Sequence, residues 1–394
     1  MITTCRLCGS ERVRLVLDLG MQPLANKYPV SSEFPGEEFH PLQVQFCLSC
    51  SNVQLGTIVS RRLMFEEYFY LSSVNGSLVR HFEDLALSLE GAQFVIDIGS
   101  NDGILLKPLR ARGVRALGIE PSVNVSRIAN DLGLDTHTAF FDEECVEFVV
   151  THYGKPDVIV ASSVFTHLED PHAFVSSVRN LLSSHGTFII EVEYIGNFIE
   201  TLQFERFYLD RVFYYSLTSL VRLFAAHDMV VTHVNHISPH GGSLQVRVEH
   251  QAAGKFPDQS VLDQLALERD GLTIEAFERF RALVDLELAQ LRESLEGFKR
   301  AGTRVAGYGA PARVSTICNY GRIGPELISF IVDDSPLKQG KCSPGTHIPI
   351  VGRTYLNSHH VDVLFVFAYE YMEAIREATR DSYVYYTPIP VRRA

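Results

Sequence analysis

The sequence lacks several features that would assign it to a particular class of protein. Its 394 residues include no Trp, and no apolar run is long enough to span a bilayer. Acidic residues outnumber basic ones by 47 to 35, giving a net charge of -12, which disfavours a nucleic-acid partner because phosphates require a basic surface. The N-terminal Met1–Cys5 does not have the pattern of a signal peptide. These absences predict a cytoplasmic protein with no membrane or nucleic-acid partner.

Cysteine is scarce, and its positions are unevenly distributed along the chain. Four of the seven cysteines form two Cys-x-x-Cys pairs near the start of the chain: Cys5 with Cys8, and Cys47 with Cys50. Each turn presents two thiolates on one side, and two such turns complete a tetrahedral zinc site. Four protein ligands leave no open position, so we expect a structural zinc ion. A catalytic zinc and a nucleic-acid-binding ribbon are less favoured alternatives.

The most informative stretch is Val95–Gly103. An apolar run, Phe94–Ile98, leads into two glycines and small polar residues, and the amphipathic Ile104–Arg112 follows. This order predicts strand, tight turn and helix. Glycine allows the backbone to approach a ligand closely, and the acidic residues would present carboxylates there. The candidate cofactor-binding residues of this turn are Asp97, Gly99, Asn101, Asp102 and Gly103.

A second predicted strand, Ala116–Ile119, ends in Glu120. A carboxylate at this position can accept hydrogen bonds from both hydroxyls of a ribose. Since the turn lacks the full G-x-G-x-x-G of a dinucleotide site, the pattern favours S-adenosylmethionine (SAM); a Rossmann-like fold with another ligand is the alternative. Tyr70 and Ser72, which could form a lid, and Ser162, after the strand-like Val158–Ala161, are further cofactor-binding candidates.

Strand-like and helical segments alternate from Phe94 to Thr187–Val192, which is typical of a parallel doubly wound sheet. Ligands bind at the carboxyl ends of such strands, and His167 follows one of them, so it is a candidate functional residue. The stretch Phe204–Ser216 mixes charged and aromatic residues, as in the wall of a polar pocket; an irregular buried loop is the alternative. A predicted turn contributes His240, Gly241 and Gly242 as candidate ligands for an anion or carbonyl.

The C-terminal part resembles a second nucleotide-binding unit. Gly307, Gly309 and Ala312 match G-x-G-x-x-A, and an apolar run, Ile328–Val332, follows before two aspartates. This pattern suits a phosphate at a helix N-terminus. The candidate substrate-binding residues here are Tyr308, Ala310, Arg313, Asp333, Lys338 and His347.

Four units are predicted. They are a zinc-binding domain (1–75), a Rossmann-like SAM methyltransferase domain (76–250), linker helices (251–300) and a second Rossmann-like domain (301–394). In the linker, apolar residues from Phe277 to Leu295 recur with helical periodicity. The predicted fold class is therefore α/β with a small N-terminal zinc-binding domain.

These ordered motifs resemble those of the SAM-dependent nucleotide-sugar C-methyltransferases of deoxysugar biosynthesis. The resemblance covers nearly the whole chain, and it also includes Pro23–Asn26, His240–Ser243 and Pro344–Pro349. It implies a zinc-binding domain, a SAM domain and a C-terminal domain that helps to hold a dTDP-linked 4-keto sugar. It further implies that a base removes the proton at C3 of the sugar and that the resulting enediolate attacks the SAM methyl. We expect a monomer.

One part of the family pattern is altered. The usual Tyr-His-Glu-His motif falls on Tyr208, Leu209, Asp210 and Arg211, so an arginine replaces the histidine that serves as the base. Arginine stays protonated, which leaves His167, Tyr208 and Asp210 as candidate bases. Arg211 would instead stabilise the enediolate or bind a substrate carboxylate. Methylation of an oxygen or nitrogen acceptor, and a non-catalytic SAM- and zinc-binding homologue, are the alternative functions.

Overall fold

A computed structural model describes residues 2–60 and 71–394, which form three sheets connected by helices. The strands are β1 (Val13–Pro23), β2 (Phe39–Cys47), β3 (Val53–Leu55), β4 (Phe94–Ile98), β5 (Arg115–Ile119), β6 (Thr136–His137), β7 (Val158–Ser162), β8 (Thr187–Glu193), β9 (Phe213–Tyr214), β10 (Met229–Ile237), β11 (Ser243–His250), β12 (Val305–Tyr308), β13 (Ile331–Val332), β14 (Ile350–Val351), β15 (Val363–Val366), β16 (Val384–Thr387) and β17 (Arg392–Arg393). The α-helices are α1 (Gly76–Ser88), α2 (Leu106–Ala111), α3 (Val123–Asp131), α4 (Glu143–His152), α5 (Pro171–Leu181), α6 (Ile195–Glu200), α7 (Leu217–Ala225), α8 (Gln259–Gly271), α9 (Ile274–Arg300), α10 (Arg313–Tyr320) and α11 (Met372–Ala378).

The central sheet has seven strands in the order β10-β11-β8-β7-β4-β5-β6. Strands β8, β7, β4, β5 and β6 are parallel, as predicted. All five residues of β4 are buried, because helices cover both faces of such a sheet. Strands β10 and β11 are antiparallel to each other, since the turn between them is too short for a parallel crossover. Strand β11 is also antiparallel to β8.

The N-terminal sheet contains a strand from much later in the chain. Its order is β1-β2-β3-β9, and β9 pairs with β3 through Val53 opposite Tyr214. The backbone N–H of Leu55 also donates to the carbonyl oxygen of Val212 at 2.9 Å. The zinc-binding part of the chain is therefore joined directly to the segment that follows Arg211.

Helix α9 connects the N-terminal and C-terminal sheets. The Thr273 hydroxyl caps its first turn by accepting a hydrogen bond from the N–H of Ala276. The predicted apolar face is buried, and it shares one hydrophobic cluster with residues of β1, β2, β12 and α10. The buried residues of this face are Phe277, Phe280, Val284, Leu288, Leu291 and Leu295.

The C-terminal sheet has the order β14-β13-β12-β15-β16-β17. Strand β12, a glycine turn and α10 follow one another as predicted, and the apolar run Ile328–Val332 contains a two-residue strand, Ile331–Val332. The predicted boundaries of the four units stay predictions. No helix within the described ranges has the length and apolar character needed to cross a bilayer.

Candidate active site

A cavity of about 240 Å³ lies beyond the carboxyl ends of the parallel strands. It is bounded by the turn after β4, the segments after β5 and β7, and the stretch that contains Tyr208. Predicted site residues that line this cavity are Ser72, Asp97, Gly99, Asn101, Glu120, Ser162, His167, Tyr208, Asp210, Arg211 and His240. The structure thus brings most of the candidate cofactor-binding residues together with all four candidate catalytic residues.

Gly99 is required by the shape of the turn. Its φ is +74°, and a Cβ atom there would lie 2.3 Å from Cγ2 of Val164, another residue of the cavity wall. Only glycine combines this backbone conformation with such close packing. Gly103 also has a positive φ, and a Cβ there would meet Leu134 rather than a residue of the cavity wall. Its lack of a side chain therefore allows Leu134 to pack against the turn.

Two polar side chains of the turn hold the preceding segment. The Asn101 carboxamide oxygen accepts a hydrogen bond from the N–H of Ser72 at 2.9 Å. The Asp102 carboxylate accepts from the backbone N–H of Ser73 at 3.3 Å and from its hydroxyl. Asp102 is absent from the described cavity lining, unlike Asn101. Tyr70, the remaining candidate of this group, lies outside the described residues.

Asp97, in β4, and Glu120, directly after β5, are acidic residues at neighbouring strand ends. Burial raises the pKa of Asp97 well above its ordinary value, and the charges of Glu120 and Glu191 add to the effect. Burial also raises the pKa of Glu120, although its two oxygens accept hydrogen bonds from the N–H groups of Asn101, at 3.0 Å, and Ser122, at 2.8 Å. These bonds fix the Glu120 carboxylate at the cavity wall.

A buried network holds the ends of β7 and β8. The Ser162 hydroxyl donates to one Glu191 oxygen at 2.6 Å, while His81 and Gln245 each contact the other oxygen at 2.8 Å. Burial raises the pKa of Glu191, but these three partners outweigh it, so the pKa lies below its ordinary value. His81 was not among the predicted site residues, because helix α1 brings it in from outside the motif.

Arg211, a residue of the cavity wall, forms a buried ion pair. Its guanidinium contacts Oε1 of Glu193, whose side chain is 0% exposed, and it stacks 4.8 Å from the centre of the Tyr208 ring. Burial raises the pKa of Glu193, but Arg211 and His240 oppose this, and the pKa lies below its ordinary value. Burial raises the pKa of Tyr208. Glu193 is thus a carboxylate, and Tyr208 keeps its proton at neutral pH.

His167 and Asp210 adjoin this pair. Nδ1 of His167 lies 2.5 Å from the carbonyl oxygen of Asp210, so this nitrogen carries the proton. Burial and the charge of Arg211 lower the pKa of His167. The Asp210 carboxylate accepts a hydrogen bond from Asn26 at 2.7 Å, and burial raises its pKa. Asn26 was not predicted as a site residue, since nothing local in the sequence connects it with a carboxylate 184 positions away.

His240 enters the cavity from the turn between β10 and β11. It has φ 57° and ψ 29°, a conformation uncommon for residues other than glycine. Gly241 and Gly242 also have positive φ values and pack against Arg206 and Asn197. Backbone strain of this kind is concentrated at functional sites. Gly241 and Gly242 support the His240 backbone but are not part of the described cavity lining.

The predicted C-terminal ligands form a separate cluster. The Asp333 carboxylate accepts a hydrogen bond from the N–H of Ala310 at 2.7 Å and lies 3.7 Å from Nζ of Lys338. Lys338 donates to the carbonyl oxygen of Ala310, which also accepts from the hydroxyl of Tyr28. Asp333 thus contacts the glycine turn at which a phosphate was expected. This cluster is outside the described cavity lining.

The three remaining C-terminal candidates face other partners. Tyr308 donates to Asp334 at 3.0 Å. Arg313 pairs with Glu370 at 2.6 Å. The same carboxylate pairs with Arg206, which packs against Gly241 in the turn that carries His240. His347 contacts Glu37 at 2.7 Å and stacks on Phe34. His347 thus connects the C-terminal and N-terminal parts.

The four N-terminal cysteines converge as predicted. Their sulfur atoms all lie within 4.8 Å of one another, with Cys5 to Cys50 at 3.6 Å and Cys8 to Cys47 at 3.7 Å. A tetrahedron of thiolates with metal–sulfur bonds of about 2.3 Å has edges of about 3.8 Å. The two shortest of these distances are close to that edge length, and the four sulfurs are near enough to one another to share one metal ion.

The fold is that of a SAM-dependent methyltransferase. Family models match three consecutive parts of the chain: a putative zinc binding domain at 5–65, a methyltransferase domain at 70–234 and a C-methyltransferase C-terminal domain at 238–386. The C-methyltransferase NovU of Streptomyces niveus is 32% identical over 405 aligned positions, which cover 100% of this chain and 96% of NovU. The chain therefore belongs to the C-methyltransferase family with an N-terminal zinc-binding domain.

More distant similarities are confined to part of the chain. A ubiquinone biosynthesis O-methyltransferase of Glaesserella parasuis is 26% identical over 102 residues, which cover 24% of this chain and 43% of that enzyme. Among solved structures, the magnesium protoporphyrin IX methyltransferase of Synechocystis PCC 6803 with bound SAH is 14% identical. It has a TM-score of 0.35 and covers 48% of this chain and 92% of that one.

Proposed function

We propose that this enzyme transfers a methyl group from SAM to C3 of a dTDP-linked 4-keto deoxysugar. The observation that carries the proposal is that one cavity is lined both by the turn at Gly99, the predicted SAM-binding turn, and by the catalytic candidates. These candidates are the Tyr208–Arg211 segment, His167 and His240. The full-length similarity to the C-methyltransferase NovU supports carbon as the methyl acceptor.

The residues of the cavity suit this chemistry. A ketone at C4 acidifies the neighbouring C–H bond, so proton removal leaves an enediolate whose carbon attacks the methyl group that SAM supplies. Arg211 is a fixed cation in a buried site, where it is suited to stabilise the enediolate oxygen. Asp97 and Glu120 would bind polar groups of SAM, with Gly99 allowing close approach and Ser72, Asn101 and Ser162 completing the wall.

The three candidate bases from the sequence differ in their suitability. Tyr208 keeps its proton at neutral pH, because burial raises its pKa. One oxygen of Asp210 accepts a hydrogen bond from Asn26, the other has no hydrogen-bond partner among the described residues, and burial raises the pKa of this carboxyl. His167 is neutral and held by the Asp210 carbonyl oxygen, but a proton added to it would place a second cation beside Arg211, whose charge already lowers its pKa. Tyr208 is thus better suited to hydrogen bonding with the sugar than to accepting its proton, and Asp210 stays a candidate base.

We further propose that Cys5, Cys8, Cys47 and Cys50 bind a structural zinc ion. The nearby polar groups support thiolate ligands: the side-chain N–H of Asn52 lies 3.6 Å from the Cys5 sulfur, and the backbone N–H of Ser49 lies 3.4 Å from the Cys47 sulfur. The C-terminal residues Tyr308, Ala310, Arg313, Asp333, Lys338 and His347 are proposed to help position the nucleotide.

The direct test is mass spectrometry of the enzyme incubated with SAM and a dTDP-4-keto-6-deoxy sugar. We expect S-adenosylhomocysteine and a methylated nucleotide sugar to form in equal amounts, with the new methyl on carbon by NMR. A methyl on oxygen or nitrogen would instead support the alternative acceptors. SAM binding without turnover on any nucleotide sugar would support the non-catalytic alternative. Monomeric state and cytoplasmic location stay predictions.

A further inference from the structure

We propose that His240 is the base that removes the sugar proton, and that it thereby replaces the histidine lost at position 211. This inference rests on the proposed C-methylation. His240 lines the same cavity as Tyr208, Asp210 and Arg211, but it comes from a different element, the turn between β10 and β11.

The charges around the two cavity histidines distinguish them. For His167, the strongest charged neighbour is Arg211, which disfavours a second positive charge. For His240, the strongest charged neighbour is Glu193, which favours it. Glu193 and Arg211 act on both histidines with opposite signs, and Asp210 also favours a charged His167. The largest charge acting on His240 is that of a carboxylate, whereas the largest acting on His167 is that of a cation.

Glu193 is suited to this supporting role. Its side chain is 0% exposed, and one oxygen pairs with Arg211. The second oxygen, Oε2, has no hydrogen-bond partner among the described residues. A buried carboxylate near a histidine stabilises the imidazolium that forms when the histidine accepts a proton.

Burial and the other charges near His240 determine its protonation state before the reaction. Burial lowers its pKa, and Arg211 and Arg206 act in the same direction, while Glu193 and Glu191 oppose them. His240 is therefore neutral at neutral pH and able to accept a proton. Its left-handed backbone, supported by Gly241 and Gly242, fixes the point at which its side chain enters the cavity.

The proposed reaction moves one proton and one methyl group. The C3–H bond breaks, its electron pair enters the enediolate, and the proton moves to a ring nitrogen of His240. The C3–methyl bond then forms as the sulfur–methyl bond of SAM breaks, which releases S-adenosylhomocysteine. The imidazolium then releases its proton to solvent, which restores the neutral base.

The test compares His240→Asn with His167→Gln and with His185→Gln, a substitution at an exposed histidine. Asparagine tolerates positive φ, so the turn is expected to keep its shape. Two rates are measured: methyl transfer, and exchange of the C3 proton of a dTDP-4-keto-6-deoxy sugar in D2O with S-adenosylhomocysteine in place of SAM. We expect His240→Asn to lower both rates by at least about 100-fold, as loss of a general base does, while SAM affinity stays within about twofold.

Two further readouts separate a base from a structural residue. In the wild type, kcat/KM should rise with pH through an acid limb below the ordinary histidine pKa of about 6.5, and this limb should disappear in His240→Asn but persist in His167→Gln. In His240→Gly, which also suits positive φ, added imidazole should restore exchange.

Distinct results would overturn the inference. A His240→Asn enzyme that keeps its exchange rate within about threefold, or that keeps the acid limb, would exclude His240 as the base while leaving C-methylation intact. Loss of both rates in His167→Gln alone would assign the role to His167. If the wild-type enzyme neither exchanges the C3 proton nor methylates the sugar, the proposed function fails and this inference fails with it.

Discussion

Arg211 and Glu193 should stabilise the fold only as a pair. Both side chains are nearly inaccessible, with exposed fractions of 8% and 0%. Removing one member of such a pair leaves an uncompensated buried charge and typically costs about 3–5 kcal/mol, whereas replacing both with neutral groups is often close to neutral. We therefore expect Arg211→Met to lower the free energy of unfolding by about 3–5 kcal/mol, and Arg211→Met/Glu193→Gln to recover most of the loss.

The pH dependence follows from the direction of the Glu193 pKa shift. In the wild type, this pKa lies below its ordinary value, so the stabilisation is present above the unfolded-state pKa of about 4.3 and is lost as the pH falls through the folded-state value. In Arg211→Met, burial acts without its main opposing charge and raises the pKa of Glu193. The carboxylate then becomes protonated on mild acidification, so the deficit relative to the wild type should shrink as the pH falls.

The assay is unfolding in urea, monitored by circular dichroism because the chain has no Trp for fluorescence. Arg179→Met is the matched control: Arg179 pairs with Asp228 at 3.1 Å, but the two side chains are 41% and 74% exposed. That substitution should cost less than about 1 kcal/mol. Equal effects of Arg179→Met and Arg211→Met, or strictly additive effects of the two cavity substitutions, would refute a buried, coupled ion pair.

Three other predictions concern the cofactor and metal sites. Asp97→Ala and Glu120→Ala should each weaken SAM binding at least about tenfold, since each removes a charge-assisted contact; unchanged affinity in calorimetry would contradict their assignment. Gly99→Ala should abolish SAM binding because its Cβ would meet Val164, whereas Gly113→Ala, with a similar φ of +72° but nothing within 4 Å, should leave affinity unchanged in the same titration. Cys8→Ser should lose zinc by elemental analysis and melt at a lower temperature; full zinc content with unchanged melting would argue against the four-cysteine site.

The parts of the fold that local sequence specifies were predicted well. Strand β4 has the predicted bounds because its apolar run stops at a glycine that the turn requires. The face of α9 could be read from periodicity, since one side of a long helix must pack against the core. The apolar run Ile328–Val332 is longer than the strand within it, because Ile328 and Phe330 are buried without belonging to β13. Burial alone produces the same apolar run in a strand and in a packed loop.

The contacts that complete the cavity are mostly long-range, and neither spacing nor periodicity in the sequence identifies the partners. Asn26 reaches Asp210 from the N-terminal sheet, and His81 reaches Glu191 from α1. The predicted phosphate position near Ala310 already has a carboxylate, that of Asp333. Spacing within a motif indicates which residues share a turn, but it does not indicate which partner from elsewhere in the chain meets them.

The same long-range contacts explain why a zinc-binding unit belongs to this enzyme. The Cys47–Cys50 turn leads into β3, β3 pairs with β9, and β9 begins two residues after Arg211. Arg6, between the first two cysteines, donates to the carbonyl oxygen of Val212 at 3.4 Å and stacks on the ring of Phe213. The backbone immediately after the arginine of the cavity is thus held from two sides by the cysteine turns. A metal ion that fixes those turns also fixes the position of Arg211, and hence of the buried Glu193 that would stabilise a protonated His240.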